Sequence, residues 1–96
     1  MKPGETACPI TKVAKLLSDT WTMLIMHGLL SGPKRFCELE RELPGISTRT
    51  LTLKLKKLVE EGLVAKTSTG AYSATERGRG LKLIENAMKK YEEKYL

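Results

Sequence analysis

This chain of 96 residues is short of the side chains that most catalytic and metal sites require. It has one histidine, His27, and two cysteines, Cys8 and Cys37, which form no CxxC pair. One imidazole makes neither a metal cage nor a nucleophile–base pair, and two separated thiols are too few for a zinc site. In a reducing compartment both are expected as thiols. No phosphate-cradling loop is present, and Gly78-Arg79-Gly80 is too short to act as one. Together these absences argue against an enzyme and against a bound metal or cofactor. No run approaches the roughly 18 uninterrupted apolar residues of a membrane span. Pro3, Gly4 and Glu5 break up any signal-peptide core. The expectation is a cytoplasmic protein with no membrane partner. Repeats, low-complexity runs and long linkers are also missing. That leaves one domain over residues 8–96, after an N-terminal arm at residues 1–7 expected to be frayed.

Acidic residues are in deficit: 11 against 17 lysines and arginines, a net charge of +6. A small basic domain favours anionic partners, nucleic acid first and membrane surfaces second. The composition, 41% hydrophobic and 29% charged, is that of a globular protein rather than a disordered one. A domain of this size buries only about two-thirds of its unfolded surface, and self-association is a common remedy.

What is present is mostly helical periodicity. A first helix is expected from about Pro9, with Ile10, Val13, Ala14 and Leu17 on one face. Ser18-Asp19-Thr20 offers N-caps for a second, from about Trp21 to Leu30, with Trp21, Leu24, Ile25 and Leu29 as its core. Ser31-Gly32-Pro33 stops it. Lys34 and Arg35 suit a strand of one or two residues. A third helix is striped by Phe36, Leu39 and Leu43 and ends at Leu43-Pro44. Ser47 caps a fourth, whose buried stripe is Leu51, Leu55, Leu58 and Val59, and Gly62 stops it. LVAKTSTGAYSAT then reads as a short hairpin about Thr69-Gly70, and a last helix from Thr75-Glu76 runs nearly to Leu96. The fold class expected is mainly α with a small β-hairpin: about five helices and a short wing.

The stretch Phe36–Val64 carries the functional signal. Helix, Leu-Pro-Gly-Ile-Ser turn, helix and hairpin follow in the order of a winged helix-turn-helix. In that arrangement the second helix of the pair enters the major groove of double-stranded DNA by its N-terminal end. With Leu51 at the centre of the buried face, Arg49, Thr52, Leu53 and Lys56 lie opposite, and Thr48 and Lys57 lie at the rims. Arginine grips guanine bidentately and threonine serves bases or phosphates. Leu53 suits a thymine methyl or is an incidental exposed leucine. Lys34, Arg35 and Lys66 join the contact candidates, Lys66 toward phosphate or the minor groove. The plainer alternative is a solvated cationic helix face.

These residues also resemble a known family, the HxlR-type transcriptional regulators related to the MarR group. The matching motifs are Cys8-Pro9, Trp21, Gly32-Pro33-Lys34-Arg35-Phe36, Pro44-Gly45-Ile46-Ser47, LTLKLKKLVEEGLV, and Tyr72-Ser73-Ala74-Thr75 with Gly78. The likeness covers about Cys8 to Leu83. It implies a homodimer on palindromic operator DNA, with Ser47, Thr48, Arg49, Thr52, Leu53 and Lys56 at the major groove. It also implies that Cys8 is a candidate sensor of oxidants or electrophiles, since several members use an N-terminal cysteine so. Two departures stand out: the hairpin is shorter than usual in that family, and Cys37 stands where a polar residue such as Asn is common.

The dimer expectation has its own support in the residues. Leu81, Ile84, Met88, Tyr91 and Tyr95 follow an a/d heptad, a stripe too long for so small a domain to cover alone, although the alternative is a helix packed back on its own core, as its first turn is expected to be. Val13 and Leu17 of the first helix are its expected companions. Cys8, just before that helix, gains thiolate character from the helix N-terminus; an inert thiol is the alternative. His27 is expected as a surface residue. The rival to a DNA reader is a winged-helix module for protein or RNA, which a negative recognition face would have favoured over Arg49 and Lys56.

Overall fold

The computed structural model describes residues 8–96, so the expected arm at residues 1–7 lies outside the described part. Six helical segments and one hairpin follow in order: α1 (Pro9–Leu16), α2 (Thr20–Leu30), α3 (Phe36–Glu42), α4 (Thr48–Glu60), β1 (Val64–Lys66), β2 (Tyr72–Ala74), α5 (Glu76–Arg79) and α6 (Lys82–Tyr95). The single C-terminal helix expected from the sequence is thus two. α5 is one turn long, and the chain re-enters helix after Gly80-Leu81.

The local signals act as expected. Asp19 caps α2 by accepting from the Trp21 N–H at 3.0 Å. Ser47 caps α4 by accepting from the Thr50 N–H at 3.0 Å. Gly62 ends α4 with φ +78°, a conformation that favours glycine. The hairpin pairs antiparallel, with Val64 opposite Ala74 and Lys66 opposite Tyr72. Lys34 adds a third, one-residue rung: its N–H donates to the Tyr72 carbonyl at 2.9 Å, and the Tyr72 N–H donates back at 2.7 Å. The wing is thereby stitched to the α2–α3 connection.

One core holds these elements. Ile25, Met26 and Leu29 of α2 meet Leu39 and Leu43 from α3 and its end, Leu51, Leu55 and Leu58 of α4, and Leu63, Val64 and Ala74 of the wing. Each fully buried leucine here stabilises by about 1.5–3 kcal/mol. Several expected core positions lie elsewhere. Leu24 is 41% exposed and Val59 is 40% exposed. Trp21 is only partly buried at the edge of the core. Ile25 and Leu29 lie in the core as expected, and Met26, fully buried, takes the inward place expected of Leu24. α1 buries no residue at all, and its Ile10 and Val13 are exposed.

Gly78 in α5 makes the closest approach in the fold. A Cβ at this position would overlap the Leu63 carbonyl oxygen and come 3.0 Å from the Met26 methyl. The methionine methyl ends a flexible side chain and can give way, but the Leu63 backbone leads into β1 and cannot move without disturbing the sheet. Gly28, inside α2, is different: the nearest atoms to its Cβ, on Glu42 and Leu39, lie 3.6 Å away, an ordinary contact. Gly78→Ala should therefore destabilise by about 3 kcal/mol or more. Gly28→Ala should be neutral or stabilising by up to about 1 kcal/mol through helix propensity. Thermal unfolding of the two variants checks this; equal melting temperatures would refute the packing described at Gly78.

Candidate nucleic-acid interface

One face of α4 is held in the core and the other is open to solvent. Leu51, Leu55 and Leu58 are buried, which turns Arg49, Thr52 and Lys56 outward at i, i+3 and i+7. Arg49 and Lys56 make no hydrogen bond or ion pair among the described residues, so their charge is available to a ligand. The hydroxyls of the first turn are more constrained. Thr48 donates to Glu40 Oε2 at 2.7 Å, which pins the start of α4 to α3. Ser47 donates to Thr50 Oγ1 at 2.8 Å. Thr52 donates back to the Thr48 carbonyl at 2.8 Å. A hydroxyl whose proton is committed in this way presents only lone pairs, so Thr52 is set to accept from a base amino group rather than to donate to phosphate.

The remaining contact candidates divide into three groups. Leu53, 53% exposed, turns to the flank of α4, where it lines a cleft of about 460 Å³ with Trp21, Thr50, Lys54 and Lys57. Lys57 is largely exposed and only 4.0 Å from Glu61, a loose pair that leaves it available. Lys34 is different: its ammonium is mostly covered and pairs with Glu42 at 2.9 Å. It forms the short rung expected of it and ties that rung to α3, so its charge is already paired within the domain. Arg35 and Lys66 meet at the wing. The Arg35 guanidinium lies against the hairpin turn at Gly70, and Lys66 sits 5.5 Å over the Tyr72 ring. The short hairpin therefore has beside it a cation from the N-cap of α3, which linear order hides.

The dimer candidates also separate. Leu81 is buried in the protein's own core and Ile84 packs against that core, so neither begins the exposed stripe. The Leu81 assignment to a dimer seam is corrected on that ground: residues of the same chain already cover it. Leu17 likewise packs against the core. Beyond that point Met88, Tyr91 and Tyr95 are 49%, 59% and 63% exposed, and Leu83 and Leu96 add to them. With Ile10 and Val13 of α1, these leave a large apolar surface of the kind that marks an interaction site. Cys8 is exposed at the N-cap of α1. The N–H and hydroxyl of Thr11, followed by the Ile10 N–H, hold its thiol below the ordinary value, because each stabilises the thiolate. Cys37 is exposed on α3.

Three ion pairs, Lys54–Asp19, Lys34–Glu42 and His27–Glu85, had no sequence signal, whereas Lys82–Glu85 has the i,i+3 spacing of a helix pair. Lys54 of α4 pairs with Asp19, the cap of α2. Glu42 takes Lys34. Glu85 of α6, buried, takes His27 at 2.8 Å and Lys82 at 3.5 Å. His27 is exposed as expected, but it is also the partner of a buried carboxylate. No group of three or more candidate metal ligands occurs among the described residues. No described helix is long and apolar enough to cross a membrane.

A helix pair with its second member turned outward, followed by a stitched hairpin, defines a winged helix-turn-helix DNA-binding transcription regulator of the MarR-like type. The chain belongs to the HxlR-like helix-turn-helix family, whose pattern matches residues 16–96. It is 34% identical over 99 residues to the HTH-type transcriptional regulator YodB of Bacillus subtilis, covering 96% of this chain and 88% of that one. It is 37% identical over 89 residues to the HTH-type regulator sll1512 of Synechocystis, covering 86% of this chain and 66% of that protein's length. Among solved structures, quinone-bound YodB superposes with a TM-score of 0.84 at 32% identity, covering 92% of this chain and all of that one. The redox regulator HypR in its reduced form superposes with a TM-score of 0.80 at 31% identity over 91% and 92% of the two chains.

Two carboxyls in this region have clear electrostatic consequences. The hydrogen bond from Lys54 holds Asp19 below its ordinary 3.8. Burial pushes Glu85 up, but His27 and Lys82 outweigh it and leave the group below its ordinary 4.5. Both folded values lie under the unfolded ones. Their stabilisation is therefore complete above about pH 5 and is lost as pH falls through the folded values. The melting temperature should hold from neutral pH to about 5 and then fall. Asp19→Asn keeps the cap but not the charge, and should fall less steeply below pH 4.5, the difference being a few °C. Parallel melting curves for the two proteins would remove the Lys54–Asp19 pair as the cause.

Proposed function

We propose that the protein is a homodimeric reader of palindromic double-stranded DNA, with α4 of each protomer in successive major grooves about 34 Å apart. The observation that carries this is the outward face of α4, where Arg49 and Lys56 stand without internal partners beside the acceptor hydroxyl of Thr52. Ser47, Thr48, Leu53 and Lys57 border that face, and Arg35 and Lys66 of the wing supply phosphate contacts outside it. Val13, Met88, Tyr91 and Tyr95 form the dimer seam, joined at its edge by Leu17 and Ile84. Apolar exposure on α1 and α6 supports this pairing, because so small a domain leaves it uncovered.

Cys8 serves as a redox or electrophile sensor in this reading. Support comes from the thiolate favoured at the α1 N-cap and from the solved states of similar proteins, YodB quinone-bound and diamide-treated, HypR reduced and oxidised. Modification of Cys8, next to the exposed face of α1, shifts one protomer against the other and so changes the separation of the two α4 helices.

Mobility shifts on duplexes selected by the wild-type protein from a random pool test the first part. Arg49→Ala should weaken binding to the selected duplex by about 1–3 kcal/mol while changing binding to random DNA much less. Equal loss on both would mean that Arg49 only neutralises phosphate. For the second part, the alkylation rate of Cys8 in a Cys37→Ser protein should reach half its maximum below pH 9.0, the ordinary thiol value. The same titration midpoint in the folded and urea-unfolded protein would leave Cys8 an ordinary thiol. Operator binding unchanged by oxidant or aldehyde in the wild type would end the sensor reading.

A further inference from the structure

α6 is attached to the domain in an unusual way. Its only buried residue is charged: Glu85, whose side chain is 7% exposed. Ahead of it, Leu81 and Ile84 rest on the core. After it, every residue from Asn86 to the end of the helix is exposed. The helix therefore leaves the domain after its first turn, and its direction is set at a joint made by Leu81, Ile84 and Glu85. Apolar contacts resist separation but are non-directional, so Leu81 and Ile84 by themselves allow the helix to roll and tilt.

Glu85 supplies direction. Its Oε2 lies 2.8 Å from Nδ1 of His27, which sits 58 positions earlier on α2. An ionised carboxylate only accepts, so Nδ1 carries the shared proton. Oε1 faces the Lys82 ammonium at 3.5 Å. A hydrogen bond of this length weakens steeply as its angle opens, which penalises rotation of α6 against α2. Burying a carboxylate is a poor route to stability, since an apolar residue of similar size at such a site is often neutral or better. What the carboxylate adds is a single orientation.

We propose that the Glu85–His27 pair is an orientation lock, fixing the angle at which α6 leaves the DNA-binding domain and so the spacing of the two recognition helices. His27 and Glu85 are then positioning residues for DNA recognition, although neither touches DNA. The inference rests on the dimeric reading above. α2 carries His27 on one side and packs against the buried stripe of α4 on the other. The lock therefore links the seam to the reading helix through one rigid element.

The test uses the full chain and the selected duplex, compared with duplexes whose half-sites are moved apart or together by one base pair. Wild type should lose at least about tenfold in affinity on the altered spacings, because both heads no longer engage together. His27→Ala leaves Glu85 with Lys82 alone, so it should lower the melting temperature, and it should bring that loss to within about threefold while the protein stays folded and dimeric. Glu85→Leu should reduce the discrimination to the same extent. His27→Asn, whose amide N–H replaces Nδ1–H, should restore the discrimination. Spin labels on Cys37 in a Cys8→Ser background should show a broader distance between protomers in His27→Ala than in the parent. A wild type that discriminates spacing beside a His27→Ala variant that discriminates equally overturns the lock and leaves the dimeric reader standing. A wild type indifferent to spacing overturns both. If Glu85→Leu fails to fold, His27→Ala decides alone, since its side chain is 61% exposed.

Discussion

The contact on which this structure depends is the seating of the α4 leucines against α2. Leu51, Leu55 and Leu58 face Ile25, Met26 and Leu29, all at or near complete burial. A helix has only one rotation that buries such a stripe, so that packing decides which way every other side chain of α4 points. Arg49, Thr52 and Lys56 face outward because the leucines face in. The outward face of α4 is a by-product of the core, and its backing is a close-packed interior.

Around this contact the polar residues act as joints between elements. Thr48 and Glu40 fix the entry of α4 against α3. Asp19 both caps α2 and holds Lys54 of α4. Thr75 caps α5 and donates to the Gly62 carbonyl, bringing the end of α4 to the start of α5. The wing depends on the same economy of parts. It is too short to be stable as an isolated hairpin, and the Lys34–Tyr72 rung with the Lys34–Glu42 pair anchors it to the helices.

The C-terminal helix departs from this plan. Its first turn belongs to the domain and its remainder does not. Leu81 satisfies the heptad pattern in sequence yet lies in the domain core, whereas Met88, Tyr91 and Tyr95 satisfy the same pattern and stay uncovered. Leu81 lies at the start of α6, where the helix still rests on the domain, and the three uncovered residues lie beyond Glu85. The buried carboxylate of Glu85, bonded to His27 of α2, lies at the point where the helix leaves the domain.

Much of the fold and of the reading face was legible in the residues alone. The caps at Asp19 and Ser47, the stop at Gly62, the turn about Gly70 and the outward face of α4 all follow from local chemistry, which acts within a few positions. The stripes of α2 and α4 were legible only approximately. Periodicity gives a face about 100° wide, and Leu24 and Val59 fall at edges that packing left in solvent. Beyond that, tertiary structure decided. The Lys54–Asp19 and Glu85–His27 pairs and the placing of Arg35 at the wing join residues far apart in the chain. No spacing rule carries such information, because an ion pair or a buried contact depends on where two elements meet and not on how many residues separate them.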